Sequence, residues 1–411
     1  MGHEAWSKIR QHNFGNTKWV GPMSKFFSLR TKARLARSIL TREHPVYVQF
    51  YVTARCNLRC EQCNIIYANS DATEVPIAGV KKIAENLERI GVSIVLLTGG
   101  EPFVRKDLPE IVAEFRKRDI HVRIQTNGLA REQEIQACID AGVNDISISL
   151  DSIHPDTQDL MNGGVNGSWE RAIGAFAMVN RLFPEDAFAS MGCVLSPLNL
   201  EHIPDVVRFA TAIGWYVSLV PAHTTAQSHP QNFRSFDKDC RFVSEQYPLV
   251  RQIIDQVHRM REEGYLVYDS DQYLEDMFRL VRGERVRWRD RNDGICDSPN
   301  LYFAIQPNGN MAACCDYRLD RPVSTFAADF PQQFFSSRLR QDVHAVTATC
   351  GGCLYGSFPE MTITNRFMKP LLKRALFFNS NKQKLLKKFS KEEMLAIAAE
   401  IREQNPKLYP A

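Results

Sequence analysis

Val46-Tyr47-Val48-Gln49-Phe50-Tyr51-Val52, followed closely by Cys56-Asn57-Leu58-Arg59-Cys60-Glu61-Gln62-Cys63-Asn64, decides how the rest of the chain is read. The first run alternates and is rich in aromatic and β-branched residues, which predicts a strand. The loop that leaves it carries three thiols within eight positions, and they can converge on one centre. Three thiolates are one short of the four that close an ordinary four-cysteine iron–sulfur cluster. The missing ligand leaves a metal position open to an outside molecule, as catalysis requires. A zinc knuckle is the alternative, but zinc wants a fourth ligand nearby and Asn64 is a poor one. Unrelated core cysteines are the remaining reading.

Beyond this loop, strand-like and helical runs alternate. Strands are expected at 46–52, 93–97, 121–126, 145–150, 189–195 and 215–220, with helices at 77–90, 108–118, 131–141, 169–182 and 201–213 between them. Six β–α alternations predict a parallel sheet. The distinctive polar motifs fall at the C-terminal ends of these strands, where barrels of this kind place their active groups. Strand two ends in Thr98-Gly99-Gly100-Glu101-Pro102, strand three in Gln125-Thr126-Asn127-Gly128, and strand four in Ser149-Leu150-Asp151. Paired glycines let backbone approach a ligand, and the Glu101 carboxylate can accept from an ammonium group. Ser149 and Asp151 are two apart and share a face. As ordinary structure these motifs read as turns and a helix N-cap. The polar segment 221–239 follows strand six and would overhang the mouth; within it His223, nearest the strand end, is the candidate for proton transfer, with His229 and Arg234 beyond. Helices are expected over 240–264 and 271–282.

A second constellation is Cys296, Cys314, Cys350 and Cys353. Leu301–Gln306 and Met311–Ala313 flank Pro307-Asn308-Gly309-Asn310, a hairpin signal that puts Cys296 and Cys314 at its two approaches. Cys350-Gly351-Gly352-Cys353 is a tight knuckle. Four thiols can close a four-coordinate site, either iron–sulfur or zinc.

At 44% hydrophobic and 24% charged, the 411 residues read as a soluble globular chain able to bury a large core. There is no run of 18 apolar residues and no N-terminal apolar signal, so neither a transmembrane helix nor secretion is expected. Eleven clustered cysteines fit metal ligation in a reducing compartment better than a disulfide framework. The net charge of +4 is unevenly spread: residues 5–42 hold nine Lys/Arg and no acid, residues 361–391 another nine and no acid, and the remainder carries −14. A helix over 24–41 places Phe26, Leu29, Ala33, Ala36 and Leu40 on one stripe among basic residues. Two basic amphipathic helices and a more neutral one over 391–404 are expected at the C-terminus. Such segments either dock on the acidic body, the first as a cap on the barrel bottom, or contact an anionic partner such as a membrane surface. Nucleic acid is not expected, because no aromatic-studded basic sheet motif is present.

The Cys-x3-Cys-x2-Cys loop at the end of a first strand resembles the cluster loop of the radical S-adenosylmethionine (SAM) enzymes. The resemblance implies a partial (β/α)6 TIM-type barrel with a [4Fe–4S] cluster on Cys56, Cys60 and Cys63. SAM would chelate the open iron and be cleaved to a 5′-deoxyadenosyl radical. Gly99, Gly100, Glu101 and Pro102 match the family's SAM amino-group motif, and Gln125, Ser149 and Asp151 match positions lining the SAM pocket. Gln62 departs from the family, which usually has an aromatic residue there. The later cysteines resemble the twitch domain, a short relative of SPASM, and imply one auxiliary [4Fe–4S] cluster on Cys296, Cys314, Cys350 and Cys353. Cys315 is then a spare. The implied organisation is a basic helical extension (1–45), barrel (46–235), helical linker (236–292), small hairpin-and-helix auxiliary-cluster domain (293–358) and basic helical tail (359–411).

The expected function is hydrogen abstraction from a substrate, with the auxiliary cluster in electron transfer, in an oxidoreductase of a biosynthetic pathway. The substrate is a small molecule, as for aminocyclitol dehydrogenases, or else a lipid, lipid-linked molecule or peptide. Only about 45 residues precede the first strand, little for a leader-peptide recognition domain. The molybdenum-cofactor cyclase resembles the barrel but has three C-terminal ligands and a terminal Gly-Gly, whereas this chain ends Leu408-Tyr409-Pro410-Ala411. A flavodoxin or ferredoxin is the expected reductant. The expected location is the cytoplasm, with peripheral contact at the inner face of the membrane. The non-enzyme alternative is an iron–sulfur electron carrier or scaffold, which would have no use for an open cluster site.

Overall fold

The first strand, β1 (Tyr47–Thr53), is the hub of the sheet. The computed structural model describes residues 26–63, 73–184, 187–223, 240–286, 296–315, 317–348, 350–380 and 388–404. Five further strands follow: β2 (Ile94–Gly99), β3 (His121–Thr126), β4 (Asp145–Ser149), β5 (Phe188–Leu195) and β6 (Tyr216–Pro221). Each pairs in parallel with its predecessor. The C-terminal hairpin forms as β7 (Tyr302–Ile305) and β8 (Met311–Ala312), but not apart from the barrel: β7 pairs in parallel with the free side of β1. The sheet order is β6-β5-β4-β3-β2-β1-β7-β8.

The helices in chain order are α1 (Leu29–Thr41), α2 (Ile77–Ile90), α3 (Leu108–Arg116), α4 (Glu132–Asp140), α5 (Pro155–Met161), α6 (Ser168–Leu182), α7 (Ile203–Ala212), α8 (Tyr247–Glu262), α9 (Asp271–Val281), α10 (Phe330–Phe334), α11 (Ser337–Thr347), α12 (Ser357–Arg366), α13 (Met368–Ser380) and α14 (Lys391–Gln404). Helix α2 shows why the barrel assembles. Val80, Ile83, Ala84, Leu87 and Ile90 recur at helical spacing and are buried, and Gly91 ends the helix at φ 88°. Helix α8 starts seven residues later than expected from 240, because Pro248 sits in its first turn, where its missing N–H costs nothing. Helix α5 was not anticipated; it is only seven residues long.

Strand alternation divides the sheet into two faces. Val48, Phe50 and Val52 join the main core together with Ile83, Leu87 and Phe115 of the outer helices. The opposite face is mixed: Tyr47, Leu96, Phe188 and Tyr216 belong to smaller buried apolar clusters, and polar groups lie between them. On it Arg123 donates to Ser190 Oγ, Gln125 Nε2 donates to Ser149 Oγ at 2.9 Å, and Cys315 contacts Gln49 Oε1 at 3.4 Å. Gln49, Arg123, Gln125, Ser149, Gly192 and Ser218 are only half-buried while their strand neighbours are buried. The main apolar core therefore lies outside the sheet, and the inside, the barrel lumen, carries smaller apolar clusters with hydrogen-bonding groups between them.

The described segments nearest the two ends pack on this body. Met394, Ala398 and Ile401 of α14 are buried, and Arg402 donates to Ile153 O at 2.9 Å. Phe26, just before α1, lies against His121 and Phe188, at the starts of β3 and β5. Among the described residues, no helix is long and apolar enough to cross a membrane.

Candidate functional site

The cysteine loop is fixed from two sides. On one side, Gly100 N–H donates to Thr53 O (2.9 Å) and Glu101 N–H to Arg55 O (2.8 Å), stitching the end of β2 to the start of the loop. This contact is what demands the two glycines. A Cβ on Gly99 would lie 2.1 Å from Thr53 O, and one on Gly100 would lie 2.2 Å from Arg55 O; Gly99 also has φ +145°. On the other side, Glu61 N–H donates to Met161 O (2.9 Å), at the end of α5.

Cys56, Cys60 and Cys63 are all half-buried. Asn127 Nδ2 donates to Asn57 Oδ1 at 2.7 Å and approaches Cys56 Sγ at 3.9 Å. Cys60 Sγ is 3.5 Å from Asn162 Oδ1. Burial pushes the Cys56 thiol up to about 11 and the Cys60 thiol higher still, and each also feels the charge of the other cysteines of the loop. The Cys56 and Cys60 thiols thus share one electrostatic neighbourhood with Cys63, and burial favours their protonated form until a positive centre compensates them. Among the described residues, no three His, Cys, Asp or Glu side chains already stand at metal-holding geometry. Three thiols on one loop, two of them raised by burial, are a donor set that fits a cluster.

The carboxylates at the strand ends are engaged by the chain itself. Glu101 is buried; its Oε1 accepts from Phe103 N–H (3.0 Å) and Thr126 Oγ1 (2.8 Å), and its Oε2 from Asn127 N–H (2.8 Å). It therefore ties the ends of β2 and β3 together, and burial pushes its carboxyl up to about 7 against those three donors. Pro102 begins a short 3-10 turn capped by the same carboxylate. Asp151 is likewise buried and raised to about 7. It accepts from Val194 N–H and from Gln62 Nε2, both at 2.7 Å. This second contact links the tip of the cysteine loop to β4 and β5. It was not visible in the sequence, where Gln62 stood out only as a departure from the family. Gln62 Oε1 is a buried acceptor with no hydrogen-bond partner among the described residues.

His223, at the end of β6, is half-buried and stacks on Tyr355 with centroids 3.8 Å apart. Its Nε2 accepts from Leu354 N–H at 2.9 Å, so that nitrogen carries no proton. Burial holds the imidazole down at about 4. The histidine thereby fastens the Cys350–Cys353 knuckle to the barrel, helped by Tyr273 OH donating to Leu354 O at 2.7 Å. Cys296, Cys314 and Cys315 pack against the same apolar cluster as Tyr355. The hairpin cysteines and Tyr355, two residues beyond Cys353, thus share one apolar cluster. Residues 64–72 and 224–239, with His229 and Arg234, lie outside the described residues.

Residues 50–210 match the family model of the Radical SAM superfamily. The probable GTP 3',8-cyclase of Methanococcus maripaludis is 28% identical over 181 residues, covering 43% of this chain and 60% of that protein. The PqqA peptide cyclase of Xanthomonas oryzae is 30% identical over 186 residues, covering 44% of this chain and 48% of its own length. The chain thus spans less than two thirds of these curated relatives. In structure it is similar to SuiB of Streptococcus suis bound to S-adenosylmethionine, with a TM-score of 0.57 at 16% identity over 76% of this chain and 71% of that one; at that identity the likeness speaks to the fold. Over residues 50–210 the chain is thus similar to the radical SAM superfamily, enzymes that use a [4Fe–4S] cluster and S-adenosylmethionine.

Proposed function

We propose that the protein is a radical SAM oxidoreductase that removes two electrons from a small polar substrate held in the barrel lumen. The observation that carries this reading is the set of polar residues on the inner face of the sheet, Gln49, Arg123, Gln125, Ser149 and Ser218, half-buried among buried strand neighbours. A bound cluster and SAM would supply a 5′-deoxyadenosyl radical that takes one hydrogen atom from substrate; the auxiliary cluster would take the second electron. Everything else is the work of this chain. Cys56, Cys60 and Cys63 hold the cluster, and backbone at Gly99, Gly100 and Pro102 meets the SAM amino group. Glu101 braces that loop, Gln125, Ser149 and Asp151 line the pocket, and the lumen groups orient substrate. Cys296, Cys314, Cys350 and Cys353 hold the auxiliary cluster, with His223 positioning the last two through Leu354. A flavodoxin or ferredoxin supplies the priming electron, and the basic termini fit peripheral contact with an anionic membrane from the cytoplasmic side.

Peptide modification is the second reading. It is favoured by the PqqA peptide cyclase among the relatives and by a SuiB structure bound to its precursor peptide SuiA. Lipid-linked substrates fit the polar lumen less well.

Anaerobic reconstitution tests the proposal. Wild type is expected to bind about eight irons, falling to about four in Cys56→Ala/Cys60→Ala/Cys63→Ala, with 5′-deoxyadenosine formation from SAM and dithionite lost. About four irons in wild type and none in the variant would assign zinc, or no metal, to the second site. Two clusters without SAM cleavage, with lumen ligands present, would favour an electron carrier.

A further inference from the structure

Helix α1 buries its polar side. Thr31 and Ser38 are buried. Thr31 Oγ1 donates to Asp119 O at 2.7 Å, Arg34 Nη1 to Arg118 O at 3.1 Å, and Arg30 pairs with Glu88 at 2.7 Å. These partners lie on helix ends and turns that lead into the strands, at the end of the barrel opposite the cysteine loop. The stripe Leu29, Ala33, Ala36 and Leu40 therefore points outward, and Leu29 and Leu40 are 82% and 84% exposed. A helix that merely capped the barrel would show the reverse polarity.

Helix α13 repeats the arrangement. Its inward side holds Arg374, which pairs with Glu360 at 2.8 Å, and Phe377, which packs on Phe188 and Tyr216. Its outward side carries Met368, Leu372 and Leu376, spaced four apart and 68%, 56% and 68% exposed. The exposed Lys369 and Lys373 flank that stripe. Both helices are anchored on one residue, since Phe26, just before α1, and Phe377 lie 6.1 Å and 5.9 Å from Phe188. The two stripes thus belong to the same end of the molecule. Among the described residues, Arg30, Arg37, Arg42, Lys369 and Lys373 are exposed on these two segments, with Arg30 paired to Glu88 and Lys373 to Asp271; along the sequence, 5–42 and 361–391 hold eighteen Lys/Arg and no acid, against −14 for the rest of the chain.

From this pairing of outward apolar stripes with the exposed basic residues beside them, we infer that the closed end of the barrel docks on an anionic lipid bilayer. The leucines and methionine enter the interface, and the basic residues meet the headgroups. Nucleic acid would use the charge but not the stripes, and an apolar protein partner would use the stripes but not the charge. Docking this way sets an orientation. The six-residue strands lift the cysteine loop about 20 Å above the membrane-facing end, with the mouth turned to solvent. Substrate then arrives from the aqueous side, and a lipid embedded in the same bilayer cannot reach the lumen.

The inference does not depend on the cofactor chemistry, because vesicle binding is measured without turnover. The test uses the full chain in flotation with phosphatidylcholine vesicles, with and without phosphatidylglycerol, at low and high salt. Wild type is expected to float with the anionic vesicles, roughly tenfold or more better than with neutral ones, and to be released by salt. Leu29→Gln/Leu40→Gln/Met368→Gln/Leu372→Gln/Leu376→Gln should lose at least that tenfold while keeping the wild-type circular dichroism. Hydrogen exchange with vesicles should show protection at 29–40 and 368–376 and none at 98–101 or 125–128. Failure of wild type to float, equal flotation of the variant, or equal binding to neutral vesicles would overturn the inference. So would protection of the mouth segments, or a wild-type dimer that the variant dissolves while neither protein floats.

Discussion

Arg374 closes the bottom of the lumen, and removing its charge should loosen α13 selectively. Its guanidinium lies 4.1 Å from the Tyr268 ring and pairs with Glu360, whose side chain is 4% exposed. In Arg374→Met the only donor to Glu360 that remains among the described contacts is Ser270 N–H, at 2.7 Å. A buried carboxylate deprived of its cation costs about 3–5 kcal/mol, and the lost cation–π contact is part of the same change. Because Arg374 and Phe377 anchor the inward side of α13, with only the exposed Lys373–Asp271 pair beside them among its described ion pairs, that cost should appear as local opening. Amide exchange in 368–377 should accelerate roughly 10²–10³-fold, with β1–β4 unchanged. Arg374→Met/Glu360→Gln removes both charges and should return to within about tenfold of wild type. The assay is exchange followed by mass spectrometry on the three proteins. Acceleration below about tenfold in the single variant, or a double variant as labile as the single, would refute the reasoning.

Three further outcomes follow from the site. Gly99→Ala and Gly100→Ala each drive a Cβ into backbone oxygen at 2.1 and 2.2 Å, so SAM-dependent 5′-deoxyadenosine formation should fall roughly a hundredfold, whereas Gly174→Ala, with only ordinary contacts, should be neutral in the same assay. His223→Ala leaves Leu354 N–H without its acceptor, so iron content should fall toward that of the N-terminal cluster alone, and His223→Gln should restore it in part. Asp269 is buried, accepts from Ser218 Oγ and Leu219 N–H, and is pushed up to about 7 by burial. A carboxyl raised in the folded state adds its stability below its unfolded value near 4 and loses it as pH rises through about 7. Wild type should therefore lose about 2–3 kcal/mol more than Asp269→Asn between pH 5 and 8, read as the difference in their urea midpoints; parallel pH profiles would contradict this.

Much of the barrel was legible because its signals are local. The alternation of 47–53 and the 3.6-residue spacing of Val80, Ile83, Leu87 and Ile90 each report one element without reference to any other. The strand boundaries differ from expectation by one or two residues. Helix α5 was missed for its shortness, although Pro155 at its first position and Asp156 beside it are start signals. Helix α1 was legible as a helix, but its stripe did not tell which side would face the barrel. That depended on Asp119 O and Glu88, more than 45 residues away, which claim Thr31, Arg34 and Arg30. The structure thus gives both expectations for α1 a basis: it caps the barrel with its polar side, and its apolar side remains outward.

The order of the strands, the spacing of the cysteines and the uneven charge are properties of the chain read along its length, and the sequence alone determined them. The tertiary structure decided which groups spend their hydrogen bonds on one another. Glu101 is taken up by Asn127 and Thr126, Asp151 by Gln62, His223 by Leu354, and β7 by β1. These partners are far apart in sequence and carry no mutual pattern. A buried polar group must be satisfied by whatever donor or acceptor the fold brings within about 3 Å, and only the assembled barrel brings them there.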